Sequence, residues 1–169
     1  MALKSERNVR NPKWAIEFVV EIRDVDTINV LVADDHSLFR HEVVTALERD
    51  PGITVVGQAD SATTALDRAQ ELLPTVVLLD INMPGNGLQA ARSIAQTCPT
   101  SKIVMLTVED DASTVLAALE AGASGYLLKG MTGDDLVSAI RLVVQGNLMV
   151  VPAIAVGMLM GGEKNSGSM

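Results

Sequence analysis

Short apolar runs alternate along this chain with longer stretches in which apolar residues recur at helical spacing. The runs occupy 28–33 (INVLVA), 53–59 (ITVVGQA), 75–79 (TVVLL), 102–107 (KIVMLT) and 125–128 (GYLL). Most are continuous blocks of Val, Ile and Leu, the pattern of strands buried on both faces of a parallel sheet. The stretches between them predict helices. Residues 37–48 place Leu38, Val43, Val44 and Leu47 toward one side. Residues 61–72 open on Ser61, a good N-cap, and stop before Pro74. The third stretch, 87–97, stops before Pro99, and the fourth, 111–121, runs from an Asp cap to Gly122. A last helix starts at Thr132 or Gly133 and reaches Gln145, ahead of Gly146. Strands and helices alternating at this spacing imply βαβ crossovers and helices on both faces of the sheet. The expected fold is therefore α/β: a doubly wound, five-stranded parallel sheet. Functional groups then belong at the carboxyl ends of its strands.

Two flanks lie outside this alternation. Residues 1–27 contain a segment, 14–22, that reads equally as a short helix or an extra strand. Residues 148–160 (LMVVPAIAVGMLM) are 13 consecutive apolar positions, counting Pro152 and Gly157. An apolar patch of that size packs on a neighbour or mediates association. Residues 161–169 are polar and Gly/Ser-containing and read as a flexible tail or linker. The expected organisation is an N-terminal extension at 1–27, one domain at 28–147, and an apolar segment with tail at 148–169.

Composition narrows the function classes. Of 169 residues, 48% are hydrophobic but only 2% aromatic, so the core must be aliphatic and no base-stacking platform is available. Thirteen basic and 21 acidic residues give a formal charge of −8, which argues against nucleic-acid contact by this chain itself. The basic residues concentrate in a leader: residues 1–14 hold Lys4, Arg7, Arg10 and Lys13 against Glu6. Cys98 is the single cysteine, so there is no disulfide framework, and a reducing, cytoplasmic setting fits. No apolar run is long enough for a membrane span, and the first residues lack the apolar core of a signal peptide.

The chemistry gathers where the strands end. Asp34 and Asp35 follow the first run, Asp80 follows the third, Thr107 closes the fourth and Lys129 follows the fifth. Taken singly these are ordinary: an Asp after a strand caps or turns, a Thr extends a strand, a Lys is solvated. Parallel strands, however, end on one edge, so all five should converge. Three carboxylates together need a counter-charge, and oxygen ligands select a hard divalent cation such as magnesium over zinc. A cation, an ammonium and a hydroxyl around one carboxylate make a cradle for a transferring phosphoryl group, with Asp80 as nucleophile.

The segments VLVADDHSLFR, VVLLDINMPGNG, KIVMLTVED and GASGYLLKG together resemble the receiver domain of bacterial two-component response regulators, over roughly residues 28–147. The wording LEAGASGYLLKGMTGDDLVSAIRLVVQGN is most similar to the NarL/FixJ (LuxR-type) subgroup. The resemblance implies the flavodoxin-like receiver fold, with Asp80 as phosphoacceptor. It implies Asp34, Asp35, Asp80 and the backbone carbonyl of Asn82 as ligands of magnesium, or of manganese in its place. It makes Thr107 and Lys129 the phosphate-binding hydroxyl and ammonium, Thr107 and Tyr126 the switch pair, and Asn82 and Glu109 the residues that tune hydrolysis. The expected partners are a sensor histidine kinase or a histidine phosphotransfer protein, with homodimerisation through the 111–145 face or the 148–160 segment. Phosphorylation would change the surface of the fourth helix, fifth strand and fifth helix, and so control a LuxR-type DNA-binding domain absent from these residues. Gly130 departs from the family's usual proline after the lysine, so a cis peptide is not assumed there.

Other readings stay open at this level. A stand-alone receiver would act as a phosphorelay or protein-binding switch. A magnesium-dependent phosphatase of the haloacid dehalogenase type also uses a strand-end Asp, but needs a second Asp where Asn82 stands. A flavodoxin-like electron carrier would need aromatics flanking its flavin. A module that kept the fold without the phosphorylation chemistry would not need the five-residue set. His36 and His41, about 140° apart on a helix, are expected as surface positions rather than a shared metal site. Leu38 and Phe39 are expected in the core.

Overall fold

The computed structural model describes residues 27–150. Five β/α units follow the chain: β1 Ile28–Ala33, α1 Ser37–Glu48, β2 Ile53–Ala59, α2 Ala62–Leu72, β3 Val76–Leu79, α3 Gly87–Thr97, β4 Lys102–Thr107, α4 Ala112–Glu120, β5 Gly125–Leu128 and α5 Gly133–Val144. All neighbouring strands pair in parallel, in the order β2-β1-β3-β4-β5. The expected doubly wound sheet is therefore present, with one addition. A two-residue strand, β6 Met149–Val150, pairs in parallel with β5 and makes a sixth strand. The apolar segment at 148–160 thus begins by extending the sheet. Its remainder, and the expected element at 14–22, lie outside the described residues.

Side chains alternate across each strand, and this alternation builds two cores. Val30, Val32, Leu78, Val104, Leu106 and Leu127 face α1 and α5 on one side. Leu31, Ala33, Val77, Leu79, Ile103, Met105 and Tyr126 face α2, α3 and α4 on the other. The second core meets its helices through small residues, Ala62, Ala65 and Ala69 on α2 and Ala90 and Ala91 on α3. Small residues let those helices sit close to the sheet.

The helix ends follow their sequence signals. Ser61 caps α2 in a reciprocal arrangement with Thr64. Asp111 caps α4 through the Thr114 amide, and Thr132 caps α5 through that of Asp135. Cys98 is the buried C-cap of α3. No helix among the described residues is long and apolar enough to cross a membrane.

The chain crosses from one face to the other between β1 and β3, the sheet's topological switch point. The carboxyl ends of those two adjacent strands carry Asp34, Asp35 and Asp80. The strand-type hydrogen bonds continue one residue past the strands. Asp34 N–H donates to the Ala59 carbonyl at 3.0 Å, Asp80 N–H to that of Ala33 at 3.0 Å, and Lys129 N–H to that of Thr107 at 2.8 Å. The site residues are thereby fixed to the sheet rather than to free loops.

Candidate functional site

Asp34 and Asp80 are both 3% exposed, so two carboxylates lie buried side by side at the sheet edge. Lys129 stands between them. Its Nζ is 2.7 Å from Asp34 Oδ2 and 3.2 Å from Asp80 Oδ2. The approach to Asp80 is an ion pair outside hydrogen-bond geometry, and Asp80 Oδ2 is left buried with no hydrogen-bond donor. The other oxygen, Oδ1, accepts from the Asn82 amide at 3.3 Å. The Lys129 ammonium also lies over the Phe39 ring, 4.6 Å from its centroid.

These neighbours set the charges. Burial pushes the Asp80 carboxyl up; the Lys129 ammonium pulls it down, the Asp34 charge pushes it up again, and the net result lies above the ordinary carboxylate value. For Lys129, burial works against the ammonium. The hydrogen bond to Asp34 and the charges of Asp80 and Asp34 outweigh it and raise its pKa. The lysine therefore stays cationic and offsets one of the three negative charges. The uncompensated remainder and the orphaned Asp80 oxygen fit a hard divalent cation, since such ions take carboxylate oxygens and tolerate few protein ligands.

The other expected residues sit on one connected path. Thr107 is fully buried, and its Oγ1 accepts from the Glu109 amide at 3.3 Å. The Glu109 side chain accepts from Asn82 Nδ2 at 3.2 Å. The Glu109 carbonyl accepts from the Tyr126 hydroxyl at 2.8 Å. Tyr126 is fully buried, and burial first, then the charges of Asp111, Glu109 and Asp110, pushes its phenol up to about 12. The switch reading expects Tyr126 to turn from exposed to buried; here the ring is already buried. All peptide bonds among the described residues are trans, including Lys129–Gly130, where Gly130 takes φ +104°.

Two site residues escaped the sequence reading. His36 was expected as a surface position on the first helix. It is at the surface, 69% exposed at the side chain, but it is the N-cap of α1, with φ −82° and ψ 99°, so helical angles do not apply to it. Its ring Nδ1 lies 3.3 Å from Asp34 Oδ1 and 3.2 Å from Asp35 Oδ1. One ligand atom from each of Asp34, Asp35, His36 and Asp80 falls within 4.8 Å of all the others. The available signal was adjacency: His36 directly follows the acidic pair. Arg40 is the second. Its Nη1 donates to the Asp34 carbonyl at 2.6 Å and its Nε to Gln58 Oε1 at 3.0 Å, tying the β1–α1 turn to β2. Leu38, expected in the core, is 73% exposed, while Phe39 packs inward.

A model of the response regulator receiver domain matches residues 30–141. The response regulator GacA of Pseudomonas viridiflava is 44% identical over 129 residues, which are 76% of this chain and 60% of that protein. The transcriptional regulatory protein DegU of Brevibacillus brevis is 39% identical over 128 residues, 75% of this chain and 54% of that protein. The chain thus spans little more than half the length of these curated relatives. Among solved structures, a LuxR-family two-component response regulator from Aurantimonas sp. SI85-9A1 superposes with a TM-score of 0.76 at 33% identity, over 80% of this chain and 97% of that one. The signal receiver domain of the putative response regulator NarL from Mycobacterium tuberculosis gives 0.70 at 36%, over 72% of this chain and 99% of that one.

Proposed function

The chain belongs to the response regulator receiver family, with NarL/LuxR-type regulators among its relatives, and from that premise we propose that Asp80 accepts a phosphoryl group from a phosphohistidine. The donor is a sensor histidine kinase or a histidine phosphotransfer protein. An Asp80 carboxylate oxygen attacks phosphorus in line, the P–N bond to the donor histidine breaks, and an aspartyl phosphate forms. Asp34, Asp35, Asp80 and the Asn82 carbonyl would hold magnesium or manganese, which when bound supplies positive charge against the phosphoryl oxygens.

The chain's own residues do the rest. Lys129 moves its hydrogen bond from Asp34 to a phosphoryl oxygen, and Thr107 turns its hydroxyl toward another. Thr107 then loosens from the Glu109 amide, and the path through Glu109 to Tyr126 carries the change to α4, β5 and α5. That surface shifts between two populated states rather than being newly made. Asn82 and Glu109 flank the approach of the water that later cleaves the aspartyl phosphate. The protein is a signalling phosphoacceptor of the cytoplasm rather than a turnover enzyme. The receiver unit is 28–147 with β6 at its edge, and residues 148–169 lead toward a LuxR-type DNA-binding output domain. Homodimerisation would use the 111–145 face or the 148–160 segment.

The observation carrying this reading is Asp80 Oδ2, buried without a hydrogen-bond donor beside a lysine and a second buried carboxylate. Acetyl phosphate with magnesium should add one phosphoryl group to the intact mass, and beryllofluoride should bind. Asp80→Ala should do neither; modification of that variant at an unchanged level sinks the assignment.

A further inference from the structure

The cation reading of Asp34, Asp35 and Asp80 accounts for three carboxylates but leaves the fourth member of the cluster without a role. His36 does not use its side chain to cap α1. Its backbone N–H donates to Asp34 Oδ1 at 2.8 Å, and the ring, 69% exposed, keeps its Nδ1 beside the acidic pair. We propose that His36 is a nitrogen ligand of this cation through Nδ1, and that it shifts the pocket's preference from magnesium toward first-row transition ions, manganese among them.

Three observations carry this, and all rest on the cation reading above. The first is spacing. Adjacent ligands of an octahedral ion with bonds of about 2.1 Å stand about 3.0 Å apart. Nδ1 lies 3.3 Å from Asp34 Oδ1 and 3.2 Å from Asp35 Oδ1, close to that separation from both at once. The second is Asp80 Oδ2, which has no hydrogen-bond donor and meets the Lys129 ammonium at 3.2 Å, on a residue that is 3% exposed and belongs to the same cluster. The third is the cations around the cluster. Arg40 spends its guanidinium on the Asp34 carbonyl and on Gln58. Lys129 reaches the Oδ2 atoms of Asp34 and Asp80, not the Oδ1 of Asp34 that faces His36. Among the described residues, the ion-pair partners of the His36 ring are the carboxylates of Asp34 and Asp35. Magnesium gains little from a nitrogen donor, whereas transition ions accept imidazole readily.

The test uses the whole chain loaded with manganese. Pulsed electron paramagnetic resonance should show nitrogen hyperfine coupling from a directly bound imidazole, and His36→Gln should abolish it. The same substitution should weaken manganese binding about tenfold and leave magnesium binding nearly unchanged. His36 is exposed at the side chain, and circular dichroism of the variant checks that it folds. A manganese complex without nitrogen coupling, whose binding is still lost in Asp80→Ala, overturns the role of His36 and leaves the acidic site standing. Manganese binding that survives Asp34→Asn and Asp80→Ala together overturns both.

Discussion

The Tyr126 hydroxyl donates a 2.8 Å hydrogen bond to the Glu109 carbonyl, joining the middle of β5 to the loop that leaves β4. The same Glu109 touches Thr107 through its amide and Asn82 through its carboxylate. One residue therefore links the hydroxyl that would meet a phosphoryl group, the loop after the phosphoacceptor, and the buried aromatic ring. Any movement of Thr107 must pass through a backbone that Tyr126 holds.

Removing that hydroxyl should loosen the loop without touching Asp80. Tyr126→Phe keeps the ring and its packing, and loses a net hydrogen bond worth about 1 kcal/mol. Urea denaturation should register a destabilisation of that order. Hydrogen exchange should speed up in 107–111, while acetyl phosphate still modifies Asp80. Unchanged exchange in that loop would mean the bond does not restrain it.

Lys129 offers a test in which two readouts move in opposite directions. Lys129→Met removes the counter-charge of two buried carboxylates, and breaking a buried pair costs about 3 kcal/mol. The same change removes an ammonium that repels an incoming divalent ion. Magnesium should therefore bind the variant more tightly, and added magnesium should restore part of the lost stability. Phosphorylation should nonetheless fall, because no ammonium remains to pair with the phosphoryl oxygens. Weaker magnesium binding in this variant would contradict the placement of the lysine against the cation's own carboxylates.

The strands were legible because each is buried on both faces and so reads as an unbroken apolar run. Asp34, Asp80, Thr107 and Lys129 were legible as a group because parallel strands bring their ends to one edge whatever the intervening sequence. What stayed hidden depends on tertiary geometry. β6 is two residues long and exists because β5 offers a free edge, which no local pattern announces. Arg40 reaches Gln58 only because α1 packs beside β2. His36 was misplaced by a boundary of one residue, since a residue at the cap does not share the helix's angular progression. Leu38 was misjudged by a periodicity that the sequence does contain. At 100° per residue it lies about 180° from Leu47, the centre of the buried stripe, and it is correspondingly exposed.

The acid side of the stability curve should be carried by carboxylates away from the site. The hydrogen bond from Arg141, then the Gly52 amide, holds Asp50 below its ordinary value. Ser113 and then Thr114 hold Asp111 at about 2. Both groups have folded pKa values below their unfolded ones, near 4. Their contribution is thus complete above that value and is lost as pH falls toward 2. Asp80 is shifted the other way, so its ionisation opposes folding as pH rises and adds nothing to the acid limb. Urea midpoints measured from pH 6 to pH 2 should fall less steeply for Asp50→Asn and Asp111→Asn than for the wild type. Parallel curves would place the acid sensitivity elsewhere. Salt should shrink the Asp50 effect, because its partner Arg141 is 43% exposed at the side chain.

Gly87 is the position where the fold leaves least room next to the phosphoacceptor. A methyl group there would stand 2.1 Å from the Asp80 carbonyl oxygen and 2.7 Å from Ile81 Cα, both backbone atoms that cannot swing away. The closeness has a local cause. Asn86, at φ +74°, caps α3 by accepting from the amides of Leu88 and Gln89, and Gly87 N–H donates back to the Ile81 carbonyl at 2.9 Å. The first turn of α3 is thereby pressed onto the chain leaving β3. Alanine elsewhere in a helix stabilises by up to about 1 kcal/mol over glycine. Here the clash should outweigh that gain, and Gly87→Ala should destabilise by about 2 kcal/mol in urea denaturation. Because the displaced atoms belong to Asp80 and its neighbour, magnesium binding and acetyl phosphate labelling should weaken as well. A control at Gly146, where an added methyl meets nothing within 4 Å although φ is +95°, should cost stability through backbone strain alone and leave magnesium binding unchanged. Equal loss of binding in both variants would show that Gly87 acts through general stability and not through the position of Asp80.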